Sequence, residues 1–200
     1  MFKFFQKVDH PVNIVFLDID GVLLINNDGE YNLKAFNDQQ DFIKSKLGDN
    51  YSGLDKFDIG ATVRFNPNAI ENLKTLCKNY DAKIVISSSW RISDDREGSM
   101  VKLTSLFKLW DLDSLIIDVT PTTHKSRAHE IQQWLDNAGY KIASYIILDD
   151  VDSCLSKQFG EKYIHTGDTM YFSAKHYEQA ISIFAQKSDG TLIHADTLNN

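Results

Sequence analysis

Short apolar runs of strand length alternate along the chain with segments whose apolar residues recur at helical spacing. Four long runs are typical of buried strands, and a fifth is short: VNIVFLDI, DAKIVISSSW, SLIIDVT, SYIILDD and KYIHT. Helical patterns follow most of them, in NPNAIENLKTLCKNY, GSMVKLTSLFKLW, SRAHEIQQWLDNAG and AKHYEQAISIFAQK. This alternation predicts an α/β fold with a parallel sheet and helices on both of its faces.

Two of the helical segments carry boundary signals. Asn66 stands at an N-cap position before Pro67, and proline suits the first helical position because that position needs no backbone N–H donor. Gly139 is expected to stop the later helix at its C-terminal end. Each helix has one apolar face, formed by Ile70, Leu73, Leu76 and Cys77 in the first and by Ile131, Trp134 and Leu135 in the second.

Polar residues follow three of the four long strands. They are Asp18 and Asp20, then Ser87, Ser88 and Ser89, and finally Asp149 and Asp150. In parallel sheets of this kind, ligands bind beyond the carboxyl ends of the strands. We therefore expect these three groups of side chains to converge on one crevice.

The stretch DIDGVL carries the most specific chemistry. Residues two apart in an extended chain point the same way, so Asp18 and Asp20 can face one substrate. Such carboxylates repel each other unless a cation or a proton lies between them, and Mg²⁺ binds carboxylate and phosphate oxygens. One carboxylate can then attack phosphorus while the other protonates the leaving oxygen and later activates water. Gly21 lets the backbone turn tightly beside the phosphate.

Two other interpretations of DIDGVL are possible. A calcium loop also uses Asp-x-Asp and glycine, but its fifth position would be Val22, which has no ligand oxygen, and a strand rather than a helix precedes it. Alternatively, the aspartates could make turn or cap hydrogen bonds at a strand end. The polar residues at the other strand ends weigh against this second interpretation.

Residues 25–65 interrupt the alternation, and NNDGEY within them contains a turn signal. We interpret this segment as an insertion that folds over the site as a small cap or flap, within a single domain spanning residues 1–200. The polar tail SDGTLIHADTLNN is compatible with a hairpin or with disorder.

DIDGVL resembles the first motif of the haloacid dehalogenase-like (HAD) hydrolases of the phosphatase type. The resemblance implies a three-layer Rossmann-like fold, with Asp18 as the nucleophile that forms an aspartyl-phosphate. It also implies that Asp20 is the general acid/base and that its backbone carbonyl helps to hold Mg²⁺. Dehalogenase members lack the second aspartate, so Asp20 points to phosphoryl transfer.

The second motif of that family is a serine or threonine that binds phosphate at the end of the next strand. KIVISSSWR offers three serines: strand alternation puts Ser87 and Ser89 on one face, and we favour Ser88 from the resemblance. Arg91 could contact phosphate or substrate, or form a surface salt bridge. Trp90 could stack on a base, but a place in the core is favoured.

The third and fourth motifs lie further along the chain. The third is a cation near the start of a later helix, for which THKSRAHEIQQWL offers Lys125 and Arg127, with Arg127 preferred; His124 could line the site. The fourth is the acidic pair of YIILDD. In it, Asp150 is expected to coordinate the metal directly and Asp149 to support it. Asp152 is expected to cap a helix.

The combination SSSWR, R..EI..WL and ILDD further resembles the phosphatase-like domains of Swiss Army Knife RNA repair proteins. That resemblance implies a phosphorylated nucleic-acid end or a nucleotide as the substrate.

Composition adds constraints on partners and compartment. The 200 residues carry a net charge of -7, which argues against broad, sequence-independent binding of nucleic acid. Cys77 and Cys154 are expected to be reduced, packed thiols in a reducing compartment. We expect a cytoplasmic protein that does not bind or span a membrane. No apolar run approaches the roughly 20 residues of a spanning helix, and no secretory signal is evident.

These features together favour a Mg²⁺-dependent phosphatase that hydrolyses phosphate monoesters of a small metabolite or nucleotide. A narrower alternative is a phosphatase of polynucleotide or nucleotide ends in nucleic-acid repair. An alternative from another class is a catalytically silent binding module that retains the fold. The sequence leaves the oligomeric state open.

Overall fold

A five-stranded parallel sheet forms the centre of the protein in a computed structural model that describes residues 10–48, 51, 53–123, 125–139 and 141–186. The strands are β1 (Val12–Leu17), β2 (Ala82–Ile86), β3 (Ile116–Val119), β4 (Ile142–Asp149) and β5 (Tyr163–His165). Their spatial order is β3-β2-β1-β4-β5, and every neighbouring pair is parallel. The predicted parallel sheet is therefore confirmed. The polar tail and His124 lie outside the described residues.

Eight α-helices occur in the described part of the chain: α1 (Gly29–Asp38), α2 (Gln40–Leu47), α3 (Lys56–Val63), α4 (Pro67–Tyr80), α5 (Arg96–Phe107), α6 (Arg127–Asp136), α7 (Leu155–Phe159) and α8 (Ala174–Ala185). Asn66 caps α4 as predicted, because its side chain accepts hydrogen bonds from the N–H groups of Asn68 and Ala69. None of these helices is long and apolar enough to span a bilayer.

The central strand β1 sends alternate side chains into two separate apolar clusters, one on each face of the sheet. Val15 and Leu17 pack with α4, α5 and α8 on one face. Ile14 and Phe16 pack with α6 and α7 on the other. This two-sided burial confirms the three-layer architecture and explains why the strand sequences are almost continuously apolar.

The segment 25–65 is helical and contains α1, α2 and α3. Its turn signal NNDGEY starts a helix rather than a hairpin, because the Asp28 side chain accepts hydrogen bonds from the first N–H groups of α1. α1 and α3 pack against each other, with the backbone of Asn32 lying directly over Gly60. That this segment covers the site stays a prediction.

Two boundaries differ from the sequence-based expectation. Strand β2 stops at Ile86, and the chain bends at Ser88 and turns at Ser89, so strand alternation does not decide the directions of these serines. Helix α6 ends at Asp136 with Asn137 as its C-cap, before Gly139 is reached. The apolar run alone could not show where hydrogen bonding to the neighbouring strand ends.

Candidate active site at the carboxyl edge of the sheet

The hydrogen-bond ladder of the sheet continues one residue past three strand ends and so aligns the first polar residue of each. The Asp18 N–H donates to the Leu148 carbonyl at 3.0 Å, and the Ser87 N–H donates to the Leu17 carbonyl at 2.8 Å. The Thr120 N–H likewise donates to the Ile86 carbonyl, at 3.0 Å. These residues therefore lie side by side at one edge of the sheet, where the sequence predicted a crevice.

Three carboxylates meet at this edge. Asp18, Asp149 and Asp150 each offer an oxygen atom within 4.8 Å of the others, and the first two side chains are buried. Arg127 lies between two of them, with its Nη1 atom 2.9 Å from Asp18 Oδ2 and 2.8 Å from Asp149 Oδ2. One guanidinium against three carboxylates leaves two negative charges uncompensated, which matches a divalent cation bound by hard oxygen ligands.

Burial and mutual repulsion disturb the protonation of the cluster. Burial raises the pKa of Asp149 to about 7, although the Arg127 charge acts in the opposite direction. The pKa of Asp150 is also raised, first by burial and then by the Asp18 charge. For Arg127, burial alone would lower the pKa, but Asp18 and Asp149 raise it, so the guanidinium stays charged. A cation at the cluster would favour the ionised carboxylates.

The residues present fit the Mg²⁺ that the family resemblance implies. Both oxygens of Asp149 already accept hydrogen bonds, Oδ1 from the Val151 N–H at 2.9 Å and Oδ2 from Arg127. Asp150 packs against Gly21, where a Cβ atom would fall closer than 3.0 Å to the carboxylate. Both oxygens of Asp18 are engaged in the same way, Oδ1 by the Ile19 N–H at 2.8 Å and Oδ2 by Arg127. The choice of Asp18 and Asp150 as direct ligands, with Asp149 in support, therefore stays a prediction from the family resemblance.

Asp20 lies apart from these three carboxylates and has its own partners. Its Oδ2 atom accepts a hydrogen bond from the Trp90 indole Nε1–H at 2.9 Å. Burial raises the pKa of Asp20, the hydrogen bond from Trp90 opposes the rise, and the Asp18 charge adds to it. A carboxyl group whose pKa is raised can hold a proton for a leaving group, which suits a general acid. Through the resemblance, only the backbone carbonyl of Asp20 is expected to contact the metal.

Among the three candidate serines, Ser87 and Ser88 are buried and Ser89 is exposed. The Ser88 hydroxyl accepts a hydrogen bond from the Trp90 N–H at 3.3 Å. The Ser87 hydroxyl accepts one from the Thr120 hydroxyl at 3.4 Å, and its carbonyl accepts one from Arg127. Each of these two hydroxyls accepts one hydrogen bond and keeps its proton to donate. The preference for Ser88 as the phosphate ligand therefore still rests on the family resemblance.

Arg91 forms a buried ion pair rather than a surface one. Its Nη2 atom lies 2.9 Å from Glu130 Oε2, and both side chains are less than one tenth exposed. Its other donors bind the Ser88 carbonyl at 2.6 Å and the carbonyl and hydroxyl of Thr120 at 2.6 Å. Arg91 thus joins the ends of β2 and β3 to α6, which supports a structural role and leaves little of its guanidinium for a phosphate.

The two candidate cations of the third motif lie in different surroundings. Arg127, the first residue of α6, reaches the carboxylates, whereas the Lys125 side chain is exposed. Ser126 between them caps the helix by accepting a hydrogen bond from the His129 N–H at 3.3 Å. The N-cap of α7 is Cys154 and not Asp152 as predicted, although the Asp152 carboxylate still accepts a hydrogen bond from the Ser156 N–H in the first turn, at 3.0 Å.

Sequence reasoning missed three residues at this edge. Thr120 follows the apolar run of β3, so the rule that singled out the other strand ends could have found it. Glu130 carried no such signal, because its buried position depends on Arg91. Asn27 lies in the insertion, and its side chain opposes the rise in the pKa of Asp20. The Asn27 Oδ1 atom accepts a hydrogen bond from the Asn32 side chain at 2.8 Å.

Comparison with known proteins adds one match. Residues 14–177 fit a protein-family model described as the HAD domain in Swiss Army Knife RNA repair proteins. The matched segment includes all four motifs, from Asp18 to Asp150. A search of curated proteins gives no match.

Proposed function

The chain belongs to the family of HAD domains in Swiss Army Knife RNA repair proteins, and we propose that it is a Mg²⁺-dependent phosphatase acting on phosphate monoesters. Family membership supports a hydrolase in general. The observation that carries the narrower proposal is that the aspartates lie in two different surroundings. Asp18 lies with Asp149 and Asp150 at a cluster suited to a cation, whereas the Asp20 carboxyl lies outside that cluster and accepts a hydrogen bond from the Trp90 indole.

In the proposed reaction, a carboxylate oxygen of Asp18 attacks phosphorus and the bond to the leaving oxygen breaks. Asp20 donates its proton to that oxygen, and the product alcohol departs. Asp20 then accepts a proton from water, the water oxygen attacks the aspartyl-phosphate, and phosphate and the free Asp18 carboxylate form. Arg127 and a serine hydroxyl, with Ser88 favoured, hold the phosphate oxygens.

Asp18, Asp150 and the Asp20 carbonyl would hold Mg²⁺, with Asp149 in support. When bound, the ion supplies positive charge that offsets repulsion between the carboxylates and an incoming phosphate. The buried Asp149–Arg127 pair keeps the surrounding carboxylates in place.

Turnover of 4-nitrophenyl phosphate with and without Mg²⁺ tests the proposal. Asp18→Asn should abolish turnover while leaving the fold intact, because an amide is a poor nucleophile. Asp38→Asn is the matched control, since Asp38 is exposed on α1 and pairs only with Lys34 among the contacts described. Unchanged activity of the Asp18 variant would refute the assignment. Mg²⁺ binding by the wild type without turnover across a broad panel of phosphates would instead support the silent binding module.

A second candidate function is hydrolysis of a phosphate at a polynucleotide or nucleotide end, supported by the family to which the chain belongs. The net charge of -7 argues for recognition of a terminus rather than of a long backbone. The measurement is kcat/KM for a 3′-phosphorylated oligoribonucleotide against kcat/KM for a small sugar phosphate. Equal values for the two substrates would remove this candidate and leave the general phosphatase.

A further inference from the structure

The loop that joins β5 to α8 makes hydrogen bonds to the backbone of both the first and the fourth motif. The Thr166 N–H donates to the Asp149 carbonyl at 3.1 Å, and the Thr166 hydroxyl donates to the Gly21 carbonyl at 2.8 Å. Further along the loop, the Phe172 N–H donates to the Val22 carbonyl at 2.8 Å. A single loop therefore joins two motifs that are far apart in the sequence.

Asp150 is contacted from two sides in this arrangement. Its carboxylate packs on Gly21, where a Cβ atom would fall under 3.0 Å from it. Its backbone carbonyl lies 2.9 Å from the His165 Nε2 atom, and a carbonyl oxygen only accepts, so the ring nitrogen is the donor. A Cβ atom at Gly167 would fall under 3.0 Å from both of these atoms, so the missing side chain leaves room for the bond. The end of β5 thus holds the backbone of Asp150 while Gly21 meets its carboxylate.

Contacts with α4 and α8 hold the loop itself. The Asp168 carboxylate binds His176 Nε2 at 2.9 Å and Lys175 Nζ at 2.5 Å. The Phe172 side chain is fully buried, and its carbonyl accepts a hydrogen bond from the Asn72 side chain at 3.1 Å. Because the loop is anchored on two helices, it can set the distance between the two motifs and does not simply follow their movement.

The hydroxyl of Thr166 lies where its loss would be felt. Thr166 and Gly21 are both buried, and a buried carbonyl that loses its partner costs free energy. Gly21 has a φ of 69° and no side chain, so its peptide can rotate toward another donor with little steric penalty. Such a rotation would change the surface on which the Asp150 carboxylate packs.

We propose that Thr166 and His165 are positioning residues that hold Gly21 and Asp150 against each other, so that the Asp150 carboxylate stays in place to bind Mg²⁺. This inference rests on the Mg²⁺ site of the proposed function. Both residues act through the backbone of the motifs, because the Thr166 hydroxyl is bonded to the Gly21 carbonyl and His165 Nε2 to that of Asp150.

Thr166→Val tests this role because it removes the hydroxyl and keeps the size and branching of the side chain. The measured quantities are the Kd for Mg²⁺, from isothermal titration calorimetry, and the Tm without metal. We expect the Kd to rise about tenfold, at the lower end for partners that hold metal ligands, and the Tm to fall. Thr166→Ser restores the hydroxyl and should return the Kd to near the wild-type value.

Thr62→Val is the matched control. Thr62 is also fully buried, and its hydroxyl donates to the Asp58 carbonyl at 2.7 Å within the inserted segment. This variant should lose stability and keep the wild-type Kd. An unchanged Kd in Thr166→Val, an equal rise in Thr62→Val, or no recovery in Thr166→Ser would overturn the positioning role. A wild type that binds no Mg²⁺ would instead refute the metal site of the proposed function, and this inference with it.

His165→Phe covers the case in which Thr166→Val does not fold. His165 is exposed, and phenylalanine keeps a ring beside Tyr163 at 6.0 Å while it removes the donor to the Asp150 carbonyl. The Kd for Mg²⁺ should rise about fivefold, as for the loss of one ordinary hydrogen bond. Loss of a ring that can carry positive charge would by itself tighten Mg²⁺ binding, so weaker binding reports the lost bond. His10→Phe, at an exposed histidine before β1, should leave the Kd unchanged. An unchanged Kd in folded His165→Phe would overturn the proposal.

Discussion

Gly21 and Asp150 pack so closely that any side chain at position 21 would collide with the carboxylate. A Cβ atom there would fall under 3.0 Å from the Cγ atom of Asp150. Gly21 also has a φ of 69°, in the left-handed region where glycine carries no steric penalty. The Thr166 hydroxyl holds the Gly21 carbonyl at 2.8 Å. Because Gly21 has no side chain, Asp150 of the fourth motif can pack against the backbone of the first motif. This packing brings the Asp150 carboxylate next to Asp18.

Replacement of Gly21 by alanine should weaken Mg²⁺ binding. The added methyl group must displace Asp150, and the left-handed backbone adds roughly 1 kcal/mol of strain. The Mg²⁺ concentration that gives half the maximal rise in Tm measures the effect. Gly139→Ala is the control, because no atom lies within 4 Å of a Cβ atom built there. An unchanged Mg²⁺ midpoint in Gly21→Ala would contradict Asp150 as a ligand.

Arg127→Met should reduce kcat/KM for 4-nitrophenyl phosphate by about 100-fold, the usual loss when one charge-stabilising donor is removed. Lys125→Met should leave kcat/KM near the wild-type value, since the Lys125 side chain is exposed. Steady-state kinetics of the two variants compare the two cations of the third motif directly. A larger loss from Lys125→Met would show that the cation of the motif had been misassigned.

Stability without metal should depend on pH through Asp149. Its pKa is raised from 3.8 to about 7, so between these values the folded protein keeps a proton that the unfolded chain has released. Wild type should therefore lose stability relative to Asp149→Asn as the pH rises from 4 to 7. Urea unfolding of both proteins in a chelator measures the difference. Saturating Mg²⁺, which favours the ionised carboxylate, should reduce or reverse the trend.

The buried pair of Arg91 and Glu130 should contribute to folding. Arg91→Met leaves Glu130 buried without its counter-charge, at a cost of about 3 kcal/mol in the free energy of unfolding. The double variant with Glu130→Gln should recover part of this loss. A variant of unchanged stability with a greatly increased KM would instead support the alternative in which Arg91 contacts phosphate.

The two cysteines should differ sharply in reactivity. Cys77 is packed as predicted, and burial raises the pKa of its thiol to about 12. The prediction of a packed thiol is wrong for Cys154, which is exposed at the start of α7. A thiol reagent such as 5,5′-dithiobis(2-nitrobenzoic acid) at pH 8 should modify one thiol per native chain, and two in denaturant. In Cys154→Ser the native reaction should vanish. Rapid modification of Cys77 in that variant would mean that the core opens locally.

Much of the fold was predictable because local patterns follow backbone geometry. The apolar runs of β1 and β4 are those of strands covered on both faces. Asn66-Pro67 marks a helix start because the Asn66 side chain can accept hydrogen bonds from the first turn and Pro67 has no N–H that needs a partner. The insertion was harder to interpret. Its NNDGEY turn signal also fits a helix N-cap, and the structure shows the second, with Asp28 capping α1 and α1 packed against α3.

The sequence by itself determined the parallel sheet and the edge where Asp18, the serines and Asp150 gather, because periodicity and strand ends are properties of consecutive residues. Only the tertiary structure decided that Arg91 pairs with Glu130, that Arg127 reaches the carboxylates and that Trp90 donates to Asp20. Those contacts join segments far apart along the chain. Their partners are set by how helices pack on the sheet, and no local pattern encodes that.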